Sequence, residues 1–148
     1  MVPITLVCSA GATWLLPFDG NCFMTKGSWD GIKEGFKKHG CDTRYITVPM
    51  ARLQSNDRLL DADFAPEATE EPQIIFRHDA KERFNVMMRY GRRPKVELLW
   101  RLKVAGPWDR WPQSIGPWEK KEWEVSDDVG EGDRAVPSAG WIPSVLLN

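Results

Sequence analysis

The spacing of apolar and polar positions changes twice along the chain. From Val2 to Phe18, "VPITLVCSAGATWLLPF" is apolar, carries no charged side chain and is broken at Gly11. This reads as two buried strands. A basic start is missing, Pro3, Gly11 and Pro17 interrupt the run, and it is short for a bilayer span. Neither a signal peptide nor a membrane insertion is therefore expected. The loop "DGNCFMTKG" leads to the clearest helical pattern, "SWDGIKEGFKKHG" (28–40). Trp29, Ile32 and Phe36 form one apolar stripe. Ser28 is the expected N-cap, with Asp30 in the first turn. Lys37, Lys38 and His39 suit the C-terminal dipole, and Gly40 suits a left-handed stop. Gly31 and Gly35, four residues apart, would let this helix lie close against a sheet.

"CDTRYITVPM" (41–50) predicts a strand. Residues 51–72 are polar, acidic and proline-containing, which predicts a long loop or insertion with one helical turn near "NDRLLDADF". From Pro72 the period becomes two, over "QIIFRH", "RFNVMMRY" and "KVELLWRLKV". In the last run Val96, Leu98, Trp100, Leu102 and Val104 fall on one face, with Lys95, Glu97, Leu99, Arg101 and Lys103 on the other. That pattern predicts an antiparallel meander with a basic outer face. Beyond Ala105, "GPWDRWPQSIGPWEKKEW" follows, in which Pro107, Pro112 and Pro117 remove amide donors and bias the backbone toward an extended ribbon. The expected fold is α+β: a mixed or antiparallel sheet with one main helix packed on it and an extended C-terminal tail. The expected division is an α+β domain over 1–105 and a Trp/Pro-rich docking tail over 106–148.

The chain of 148 residues has a net charge of −1, but the charge is unevenly placed. Residues 77–103 hold nine Lys/Arg against three Asp/Glu, while both flanks are acidic. A basic sheet face meets phosphates, so Arg77, Arg83, Arg89, Arg92, Arg93, Lys95, Arg101 and Lys103 are the candidate RNA- or phosphate-binding residues. Buried tryptophans anchor protein interfaces, so Trp108, Trp111, Trp118, Trp123 and Trp141 are the candidate partner-docking residues. Cys8, Cys22 and Cys41 form no C-x-x-C pair, and with His39 they match no zinc spacing. His78-Asp79 reads as a turn, and Asp57, Asp61 and Asp63 as a solvated face. No catalytic residue, metal, cofactor or small-molecule substrate is expected.

Three stretches together resemble a thioredoxin-like family found in mitochondrial ribosomal proteins and one small accessory subunit of respiratory complex I. Its helix opens S-S-x-G-x-R-x-F. "SWDGIKEGF" keeps Ser28 and Gly31, has Lys33 for the arginine and places Phe36 one position late. "EPQIIFR…VMMRYGRRPKVEL" (Glu71 to Leu98) is similar to the two strands that follow. "WPQSIGPW" (Trp111–Trp118) looks like the N-P-S-I-x-G-x-W ending of the large-subunit mitoribosomal members. The resemblance implies a thioredoxin-like fold and a location in the mitochondrial matrix. It also implies a non-catalytic structural role among rRNA and protein subunits, without redox chemistry. The alternatives are an accessory subunit of complex I and a viral structural or inhibitor protein.

Overall fold

A computed structural model describes residues 13–60, 70–87, 93–104, 106, 135–138 and 142–144. Helix α1 (Lys26–His39) begins at Thr25, whose hydroxyl oxygen accepts the Ser28 amide hydrogen at 3.0 Å. The cap thus lies three residues before the expected Ser28, which is buried in the first turn with its hydroxyl 2.8 Å from that of Thr25. Ile32 is fully buried, and Phe36 packs on Trp14 with ring centroids 5.0 Å apart. Trp29, expected on the same stripe, is 44% exposed. Gly40 is not left-handed: its φ of −64° and ψ of −20° are right-handed, and its amide donates to Phe36 O at 2.8 Å. Space is what calls for glycine there, because an added Cβ would stand 2.4 Å from that same oxygen.

The chain forms a five-stranded mixed sheet with two α-helices among the described residues, an α+β arrangement. Strand β1 (Trp14–Leu15) pairs antiparallel with the end of β3 (Glu70–Arg77). In turn, β3 pairs antiparallel with the central β2 (Tyr45–Arg52). On its other edge β2 takes two short parallel strands, β4 (Val136–Pro137) beside Ile46–Thr47 and β5 (Ile142–Ser144) beside Met50–Arg52. Proline 49, which has no amide hydrogen, sits where the β2–β3 register shifts. A ladder loses a donor at such a position. Between β4 and β5 the partner numbering advances by two more residues than β2 does, at the same level of the sheet. Of the expected loop over 51–72, residues 56–60 form a 3-10 turn (Asn56–Leu60), and both flanking strands run further into the loop than expected.

Successive strand residues face opposite ways, so the sheet has two cores. Ile46, Val48, Ile75 and Ile142 pack with Ile32 and Phe36 of α1. Tyr45, Ile74 and Phe76 pack on the other face with Val96, Leu98, Leu99 and Leu102. Gly35 of α1 faces the sheet, but a Cβ there would make ordinary contacts, 3.7 Å from Ser138 Cβ and 3.8 Å from Ile46, so the packing does not require glycine at this position.

Val96, Leu98 and Leu99 belong to a helix, α2 (Pro94–Arg101), and Leu102 is its C-cap; none lies in the strand that alternation suggested. Among the described residues the expected meander keeps only β3: residues 82–87 are loop and turn. Pro94 at the first helical position, where a missing amide costs nothing, is the start signal that outweighs period two. After Leu102 the amide of Lys103 donates to Trp100 O and that of Val104 to Leu99 O, each at 2.9 Å. This is a Schellman closure, and it puts Lys103 at a left-handed φ of 56°. Lys103→Gly should therefore stabilise the protein by about 1 kcal/mol, read as a higher urea midpoint with an unchanged slope.

The boundary drawn at 105/106 also needs correction. Residues 136–137 and 142–144, read as part of an extended tail, lie in the sheet against β2. The docking tryptophans Trp108, Trp111, Trp118, Trp123 and Trp141 lie outside the described residues.

Candidate docking site

The basic residues expected on one sheet face are scattered by the fold, and several are engaged within the chain. Arg101, on α2, donates to both carboxylate oxygens of Glu97, at 2.5 and 2.9 Å. It also pairs with Glu82 and donates to Arg83 O at 2.6 Å. Glu97 is 1% exposed. Burial alone would lower the Arg101 guanidinium, but hydrogen bonds from it to Glu97 and the charges of Glu97 and Glu82 hold it above its ordinary value. Arg83 donates to the carbonyls of Ala80 (3.2 Å) and His78 (2.7 Å). Lys95 reaches Asp19 at 3.2 Å. Arg93 is exposed and left-handed, with φ of 57°, and Lys103 is exposed just beyond α2. Arg89 and Arg92 lie outside the described residues.

At the end of β3, Arg77 holds Asp79 at 2.6 and 2.9 Å and donates to Gly40 O at 2.8 Å. Arg44 adds a contact to Asp79 at 3.3 Å. The hydrogen bond from Arg77, helped by Arg44, holds the Asp79 carboxyl well below the usual carboxylate range. A depressed carboxylate stabilises the fold above its unfolded-state value, about pH 3.9, and that contribution is lost as pH falls through the folded-state value. Acid titration below about pH 4 should therefore weaken the wild type more than Asp79→Asn. The difference should be small, because solvent screens the pair. Asp79 thus braces a turn, as the sequence suggested.

These contacts converge on one loop, residues 80–87. Tyr45, buried on β2, takes the Glu82 amide hydrogen at 2.6 Å and donates its hydroxyl to Glu82 O at 3.0 Å. Arg101 and Arg83 hold the same loop from the α2 and β3 sides, and Phe84 packs edge-on against Phe76 with centroids 6.0 Å apart. Asn85 Oδ1 accepts the Met87 amide at 3.0 Å, an Asx-type turn. Beyond these contacts Val86 and Met87 are 88% and 87% exposed. The tip was not foreseen, because a strand reading places Val86 on the core face. The signal that could have found it is Asn85 two residues before Met87, a turn-former inside a supposed strand.

On the α1 side, Cys22 Sγ lies 3.7 Å from Met50 Sδ, and Gln73 bridges Met50 (3.4 Å) and Asp19 (2.7 Å). Burial, and next the charge of Asp19, push the Cys22 thiol up, which leaves it protonated and unreactive at neutral pH. Cys41 is exposed, and Cys8, Asp61 and Asp63 lie outside the described residues. Among the described residues no group of three or more His, Cys, Asp or Glu side chains is placed to hold a metal, and no helix is long and apolar enough to cross a membrane. Compared with known proteins, the chain matches no family model, no curated protein and no solved structure.

Proposed function

We propose that this chain is a non-catalytic structural subunit held in a larger assembly by protein contacts. The observation that carries the reading is the loop of residues 80–87, fixed from β2, β3 and α2 while its apolar tip meets solvent. Monomeric surfaces tolerate single exposed aliphatic residues. Two adjacent ones on a pre-ordered loop are the arrangement that lowers the entropy lost on docking.

The host favoured by the resemblance is a mitochondrial ribosome, with an accessory role in respiratory complex I as the alternative. A thioredoxin-like arrangement is the finer fold reading, supported by a mixed sheet with a helix packed on each face. Contact with rRNA has narrower support than the sequence suggested. Of the candidate cations, Arg77, Arg101 and Lys95 face carboxylates of their own chain, and Arg93 and Lys103 are exposed.

Sedimentation of the native protein with and without ribonuclease tests this reading. Co-migration with a large particle is expected, with release by ribonuclease for a ribosomal host and retention for a protein-only host. Migration at its own 16.9 kDa in both conditions overturns the subunit reading.

A further inference from the structure

The two C-terminal strands repeat one short pattern. Val136-Pro137-Ser138 and Ile142-Pro143-Ser144 are each an aliphatic residue, a proline and a serine, and both lie parallel to the same edge of β2. The aliphatic residue stands opposite Ile46 in the first module and opposite Met50 in the second. Four residues along a strand return to the same face. Both therefore meet the core on the α1 side, where Ile142 is fully buried and Val136 packs on the same cluster. Both serines are buried. The modules are not held equally. Leu53 N donates to Ser144 O at 3.0 Å, whereas the equivalent position beside Ser138 is Pro49, which has no amide hydrogen. Ile142-Pro143-Ser144 also has a second wall. Phe23 N donates to Pro143 O at 3.2 Å, Cys22 bridges Ser144, and Asn21 Nδ2 donates to Ser144 Oγ at 3.0 Å. The β2 edge and residues 21–23 thus form a slot for an added strand, selecting an aliphatic side chain by burial and a serine by a hydrogen bond.

We propose that this slot also takes the same segment, residues 135–144, from a second copy of the chain, so that two copies exchange their C-terminal strands. The contacts just named join the segment to β2, to the α1-side core and to residues 21–23, and they are kept whichever copy supplies it. Exchange between identical chains is a low-cost route to a dimer for that reason. The 28 residues 107–134 separate Gly106 from Ala135. A connector of that length spans up to about 90 Å, more than the width of a domain this size. Its own slot therefore holds the segment only through an effective concentration on the order of millimolar or less, which falls as the connector lengthens. A second copy is the occupant that fits both positions at once, because it carries both modules six residues apart against a four-residue step on β2. The exchange goes beyond the subunit reading and does not depend on it.

The bridge between Cys22 and Ser144 supplies the test. Residues paired in this way stand about 4.5–5.5 Å apart at Cα, within the span of a disulfide. Ser144→Cys, in a full chain carrying Cys8→Ser and Cys41→Ser, therefore reports which copy fills the slot. Equal amounts of ordinary and nitrogen-15-labelled chains are unfolded in urea, refolded together, oxidised with diamide and digested, and the linked peptides are weighed. Between refolding at about 10 μM and at about 1 mM, the share of position 22–144 links with mixed isotopes should rise about tenfold or more. Light scattering of the wild type refolded at the higher concentration should show a species of twice 16.9 kDa that persists on dilution. Links of a single isotope alone at both concentrations overturn the proposal. So do links that join position 22 to 22 or 144 to 144, and so does a wild-type dimer without mixed 22–144 links, because each places the contact elsewhere. If Ser144→Cys loses the wild-type circular dichroism, the wild type decides. A dimer made only by refolding and stable to dilution supports exchange, and a monomer at both concentrations or a dimer that falls apart at once overturns it.

Discussion

Arg101→Leu should destabilise the fold by about 3–5 kcal/mol, the range for removing one partner of a buried ion pair. The reason lies with Glu97, whose carboxylate is 1% exposed and receives two hydrogen bonds from Arg101. Without the guanidinium that carboxylate is left as a buried charge. Glu82 and Arg83 O lose the same donor, so the docking loop loses its tie to α2. The double variant Glu97→Leu/Arg101→Leu should recover most of the loss, because an apolar pair of similar volume replaces a buried ion pair at little cost. Urea denaturation of the wild type, both single variants and the double variant gives the coupling directly. A single-variant loss below about 1 kcal/mol would mean that solvent reaches Glu97 and the pair behaves like an exposed one.

Ending the chain at Ala105 should abolish cooperative folding. Such a chain lacks β4 and β5, which cover one edge of the central strand β2, and lacks Ile142, fully buried between the sheet and α1. It also loses the backbone bonds from Leu53 N to Ser144 O (3.0 Å) and from Phe23 N to Pro143 O (3.2 Å). The milder Ile142→Ala keeps the whole chain and should lose about 2–5 kcal/mol, as large-to-small changes in closed cores do. Thermal unfolding followed by circular dichroism reads both. A truncated chain that melts sharply would show that the described C-terminal strands are dispensable, as a docking tail would be.

Local signals sufficed where one period and one set of end signals agreed. Helix α1 was legible because the Ile32–Phe36 spacing and the basic last turn agree, although its start moved to Thr25, another good capping residue three positions earlier. Strand β2 and strand β3 were legible as β-branched and aromatic runs, "YITV" and "IIF". The 3-10 turn at Asn56–Leu60 fell where a helical turn was expected. Residues 95–102 carried two patterns at once. Alternation favoured a strand, whereas Pro94 and the Glu97–Arg101 spacing of four favoured a helix. Eight residues are too few for period alone to decide.

The sequence by itself determined the α+β class, the main helix, the two long strands, and the concentration of positive charge over 77–103. Only the tertiary structure decided where that charge points. Whether an arginine faces solvent or a carboxylate depends on which distant residue the fold brings beside it, and Asp19 lies 76 positions from Lys95. The same holds for β4 and β5. Two and three residues carry too little pattern to announce a strand, and they are strands because β2 offers them a free edge. The docking loop is the product of both levels. Its residues are local, but its rigidity comes from Tyr45, 37 positions away from Glu82, and from Arg101 on a helix.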